Sequence, residues 1–125
     1  MVWKWAGQFR KTETNIGIDW TKIPMELRLL VDDAKFWVEH QTYLPEEIAI
    51  RFKHRLVSIH CFPNGNGRHS RIMADLMALH VFGLDKFSWG NSSLVDSSEQ
   101  RNMYLKALQL ADNGDFSQLI KFARS

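Results

Sequence analysis

With a single cysteine, Cys61, the chain has no internal disulfide, and nothing in it calls for an oxidising compartment. It also lacks any apolar run near the ~20 residues a bilayer-spanning helix needs, and its N-terminus has no basic segment leading into an apolar one. A cytoplasmic protein without a membrane partner is therefore expected. Neither sign of charge dominates, since 16 Lys and Arg against 14 Asp and Glu leave a net charge of +2. That mild basicity suits an anionic ligand but does not call for nucleic acid. No repeat or low-complexity segment interrupts the chain.

Apolar and aromatic side chains are abundant. They make up 45% of 125 residues and include five Trp and eight Phe, which suffices for one core. We expect a single all-α domain over residues 1–125, with a helical core from 21 to 125. Pro24, Glu26 and the apolar spacing of Leu27, Leu30, Val31, Ala34, Trp37 and Val38 predict a helix over 24–40. Pro45, Glu46 and Glu47 open a second, with a stripe of Ile48, Phe52, Leu56 and Ile59 that ends at His60. A third, starting near Arg68, is apolar nearly all round after Arg71 and is expected to be buried. Asp96 and Glu99 form a capping-box start for a fourth, carrying Met103, Leu105, Leu108 and Leu110. Asp115 can cap a last short helix. Residues 1–20 have no helical period, and Gly7 and Gly17 around a polar stretch read as a short hairpin or irregular arm.

The stretch from His60 to Arg71 carries the chemistry. Gly65, Asn66 and Gly67 can turn successive N–H groups into an anion nest, and the following helix points its positive end at the same spot. Arg68 and Arg71, three residues apart on one helix face, can grip phosphate oxygens. His60 can move a proton near neutral pH, and its place at a helix C-terminus is expected to favour the imidazolium. A phosphate ligand beside a histidine base is the chemistry this pattern suggests.

His60, Phe62, Gly65, Asn66, Gly67, Arg68 and Arg71 match the Fic/Doc signature His-x-Phe-x-(Asp/Glu)-Gly-Asn-Gly-Arg-x-x-Arg, with Asn64 in place of the acid and Cys61 in place of the usual proline. The chain thus resembles the Fic/Doc family, strongly in this loop and more loosely in residues 7–17 and in the closing helices. The resemblance implies a Fic-type helical bundle with a β-hairpin flap over 7–17, on which a target protein docks by strand addition. It further implies transfer of AMP, or another nucleoside monophosphate, from ATP to a Ser, Thr or Tyr hydroxyl. His60 would be the base, Asn64 to Gly67 the phosphate cradle, and Arg68 and Arg71 the groups that stabilise charge on the leaving phosphates. The family's acid binds Mg2+, and here Asn64 offers only an amide oxygen, directly or through water.

Two further readings stay open at this point. One is a nucleotide- or partner-binding module with little activity because of Asn64, and the other a Fic-fold enzyme that transfers a different phosphate-containing group. Many relatives in the family are held off by a helix with Ser/Thr-x-x-x-Glu-Gly/Asn whose glutamate pairs with the residue equivalent to Arg71. No helical segment shows that pattern here, and residues 42–46 have the spacing but contain Pro45. A separate antitoxin-like partner, an upstream helix missing from this chain, or the lack of this mode of regulation would account for that.

Rival motifs fail on chemistry or context. A dinucleotide fingerprint needs a strand before the loop and a small residue where Ser70 stands, only partly met, and a Walker loop needs Gly-Lys-Ser/Thr. His54, His60, His69 and His80 match no zinc spacing. Cys61 reads as a small buried hydrophobe, and Phe62 as a core anchor.

Overall fold

The computed structural model describes residues 9–12, 17–91 and 96–125. A 3-10 turn at Trp20–Lys22 leads into α1 (Ile23–His40), followed by α2 (Pro45–Ile59), α3 (Asn66–Leu76), a π-helical turn at Met77–Val81, α4 (Ser97–Asp112) and α5 (Ser117–Arg124). The ends follow local chemistry. Proline opens both α1 and α2, where its missing N–H costs nothing. Gln41 and His60 close them in the left-handed region, at φ 51 and 54. At α4 the Asp96 carboxylate accepts the Glu99 N–H at 2.9 Å, the expected cap. Asp115 accepts the Ser117 N–H at 3.0 Å ahead of α5.

Helix α2 is the axis, because it is buried on two faces. Phe52, Leu56 and Ile59 pack with Ile23, Leu30 and Ala34 of α1 and with Cys61. Ala49 and Ile50 pack on the other side with Ala74, Ala78, Ala107, Ala111, Leu119 and Ala123. The alanines let α3, α4 and α5 approach closely, and each fully buried Ile or Leu contributes about 1.5–3 kcal/mol.

Two expectations about the third helix are corrected. The third helix is not buried all round, since Ile72 is 51% and Leu76 43% exposed while Ser70, Ala74 and Ala78 face inward. It begins at Asn66, two residues before Arg68, because Gly65 at φ 76 supplies the turn. On α4 the buried positions are Ala107 and Ala111, and Met103 and Leu105 lie outside. On both helices the inward face is set by small residues that allow close packing, a property that hydrophobic periodicity ranks low.

The hairpin expected over 7–17 lies partly outside the described residues, at 7, 8 and 13–16. Residues 9–12 and 17–19 form no strand, so the hairpin is not supported. The described arm is tied down by its contacts with the end of α2. Among the described residues no helix is long and apolar enough to cross a membrane.

Candidate active site

The last turn of α2 presents its final carbonyls, as any helix end does, and these need donors. Arg10 provides them. It is 3% exposed, its Nε donates to the His60 carbonyl, and one terminal NH2 group donates to the carbonyls of Ile18 and Ile59. The other donates to Thr12 O at 3.0 Å, and the Arg10 backbone N–H donates to Cys61 O at 2.8 Å. One buried guanidinium thus caps α2 and joins the N-terminal arm to the residue that leaves the helix. Gly17, at φ +92, lies so close that an added Cβ would sit 2.5 Å from the His60 Cβ.

This arrangement reverses the expected charge of His60. Burial lowers its pKa from the ordinary histidine value, and the Arg10 charge lowers it further. The helix end does not favour the imidazolium, because Arg10 has already taken its carbonyls. His60 is therefore held neutral at pH 7, the form that accepts a proton.

Beyond His60 the loop is closed by Asn66. Its Oδ1 accepts the Phe62 N–H at 2.9 Å and its Nδ2 donates to Phe62 O at 2.8 Å. Both ends of this side chain, 6% exposed, serve to hold the loop. Phe62 packs against the α1–α2 core, as expected of a core anchor, and meets the His69 ring edge-on at 4.9 Å. Buried Nδ1 of His69 has no hydrogen-bond partner. Gly65, with no side chain to cap α3, leaves the first N–H groups of that helix facing the loop.

Arg68 and Arg71 diverge in their surroundings. Arg68 is exposed. The guanidinium of Arg71 lies 5.6 Å from the centroid of Trp89 and 5.7 Å from that of Tyr104. Lys53 of α2 shares those rings, with Nζ at 5.6 and 6.0 Å. Lys53 is 1% exposed. Burial, and then the charge of Arg71, push its pKa down from 10.5 to about 8. Trp89 is fixed by Asp75, whose carboxylate accepts the Phe87 N–H at 2.9 Å and the indole N–H at 3.3 Å.

Other candidates resolve simply. Cys61 is 2% exposed and burial raises its pKa, so it is no nucleophile. His54 meets Asp112 at 2.8 Å, away from the loop. Among the described residues no three His, Cys, Asp or Glu side chains converge on a metal position. Asn64 is exposed on the loop and offers one neutral amide oxygen where magnesium favours carboxylates. Residues 61–65 thus offer a magnesium ion no charged ligand.

The family model described as Fic/DOC family matches residues 4–78, more than half of the chain. The chain belongs to the Fic/DOC family. Among its curated relatives is the "Protein adenylyltransferase Fic" of Drosophila yakuba, 30% identical over 120 residues, which are 94% of this chain and 23% of that protein. The proteins of the same name from Drosophila grimshawi and Culex quinquefasciatus are each 28% identical over 120 residues, covering 94% of this chain and 23% and 22% of theirs. The chain thus spans less than a quarter of the length of these relatives. Within this Fic-family chain, His60, Asn64, Gly65, Asn66, Gly67, Arg68 and Arg71 all fall on one loop and the helix that follows it. Sequence reasoning missed Arg10, Lys53, Asp75, Trp89 and Tyr104. The one signal available was Lys53, a cation set among Ala49, Ile50, Phe52 and Leu56 on a helix with two apolar faces.

Proposed function

We propose that this chain transfers AMP from ATP to a hydroxyl of another protein. The observation that carries the reading is His60, its backbone carbonyl bound by Arg10 at the end of α2 and its pKa lowered, with residues 61–65 as the whole separation from the α3 N-terminus. Family membership and the adenylyltransferase name of the relatives support it.

In the proposed reaction His60 accepts the proton of the target hydroxyl as its oxygen bonds to the α-phosphorus. The bond from that phosphorus to the bridging oxygen breaks, and pyrophosphate leaves. The N–H groups at the start of α3 bind phosphate oxygens, and Arg68 and Arg71 stabilise the charge that builds on the departing group. Such catalysis rests on positioning and electrostatics, with little covalent chemistry for the protein itself. Magnesium enters with the nucleotide as part of the substrate, and no step above depends on a protein-held ion. Residues 7–17, of which Arg10 and Gly17 lie against His60, are the proposed docking place of the target, and Arg71 the contact for a separate inhibitory partner.

The test is incubation with ATP labelled at the α- or γ-phosphate and candidate target proteins, beside His60→Ala. α-Label on a protein that disappears in the variant supports the reading. γ-Label transfer makes the chain a kinase and refutes it, as does nucleotide binding without any transfer.

A further inference from the structure

Lys53 and Arg71 are two cations at the same pair of aromatic rings, one from α2 and the other from α3. Among the described residues neither makes an ion pair or a hydrogen bond, and the nearby carboxylate, Asp75, is engaged by Phe87 and Trp89. The titratable groups facing Lys53 are Arg71 and Tyr104, for its helix neighbour His54 turns to Asp112. Burying an ammonium beside a guanidinium costs free energy that a cation–π contact offsets only in part. Nothing in core packing requires a charge at position 53, where a methionine would fill the space.

We propose that Lys53 and Arg71, walled by Trp89 and Tyr104, form a subsite for the terminal phosphates of a nucleoside triphosphate, with Lys53 a phosphate-binding residue. This rests on the transferase reading and names the place where the leaving pyrophosphate is held. Two cations match a phosphate dianion better than a single carboxylate, and the guanidinium fork and the ammonium supply N–H donors from two directions. Position is consistent as well. Arg71 stands five residues after Asn66, about 7.5 Å along α3 from the start of the helix, so a phosphate chain begun at the N-terminal N–H groups runs toward it. Arg71, Trp89 and Tyr104 are half-buried and so within reach of solvent, while Lys53, against the same rings, is buried.

The experiment titrates the full chain, as wild type and as Lys53→Met, with pyrophosphate, inorganic phosphate, ATP and AMP by calorimetry at pH 7. In parallel, NMR follows the lysine ε-CH2 resonances against pH. Pyrophosphate and ATP are expected to bind wild type at least ten-fold more tightly than Lys53→Met, with AMP nearly unaffected. The Lys53 titration midpoint, near 8 in the free chain, is expected to rise by more than one pH unit with pyrophosphate bound. Equal pyrophosphate binding by both proteins, or none by wild type, overturns the proposal. Tight binding of ATP but not of pyrophosphate also overturns it, because the subsite is assigned to the phosphates alone. Lys53-dependent pyrophosphate binding without α-label transfer sinks the transferase reading and leaves the subsite standing. Transfer that pyrophosphate inhibits equally in both proteins does the reverse.

Discussion

Replacing Lys53 with methionine should stabilise this protein, although it removes a residue assigned to the phosphate subsite. The pKa of Lys53 falls from 10.5 to about 8 on folding. At about 1.4 kcal/mol per pH unit, that gap gives a ceiling of about 3 kcal/mol for the cost of keeping the ammonium charged in the fold. Methionine forfeits the contacts with Trp89 and Tyr104, about 1–2 kcal/mol together, so the net gain at pH 7 is about 1–2 kcal/mol. For 125 residues this corresponds to a rise in melting temperature of roughly 4–8 °C. The pH dependence identifies the cause. Between about 8 and 10.5 the unfolded chain holds the Lys53 proton and the folded chain does not, so wild-type stability gains with rising pH through that window. Below about 8 the full penalty is present in the wild type, and Lys53→Met lacks it at every pH. Melting curves of both proteins at pH 7 and pH 10 should therefore differ most at pH 7. A variant that melts below wild type at pH 7, or a difference that stays constant up to pH 10, would refute the reasoning.

Four shorter predictions concern the loop and its support. Gly17→Ala should destabilise the fold by about 1–3 kcal/mol, because its Cβ would meet the His60 Cβ at 2.5 Å and φ is +92; denaturant unfolding measures this, and a change under about 0.5 kcal/mol would contradict the close approach. Asn66→Ala leaves the Phe62 N–H and carbonyl without their clamp and should cost about 1–3 kcal/mol, with faster amide hydrogen exchange confined to residues 61–66. In a transfer assay the rate should fall on the acid side only below the ordinary histidine pKa, since a base with a lowered pKa stays deprotonated until pH drops through that lowered value; an acid limb above 6.5 would contradict the environment of His60. Asn64→Asp should reduce the magnesium needed for half-maximal transfer several-fold, because a carboxylate replaces a neutral donor; an unchanged requirement means that residue 64 does not meet the ion.

The helices were legible because their signals are local. Proline and two glutamates after residue 44 fix the start of α2 by backbone chemistry alone, and Asp96 with Glu99 does the same for α4. The loop was legible for a similar reason, since Gly65, Asn66 and Gly67 bend the chain and begin a helix without help from elsewhere. Inward and outward faces were less so. Ile72 and Leu76 resemble core residues in sequence, yet α3 docks through Ser70 and Ala74 and the π-helical turn through Ala78, because the distance between packed helices is set by the small residues that let them approach.

The amino-acid sequence by itself determined the helical elements, the glycine-flanked loop at the head of α3 and the presence of a histidine next to it. Tertiary structure alone decided what state that histidine is in and what stands behind the second arginine. Arg10 lies fifty residues from His60, and Lys53, Trp89 and Tyr104 come from three separate segments. Electrostatics acts through space, so a charge that lowers a pKa or lines a phosphate subsite leaves no periodic or neighbouring trace along the chain.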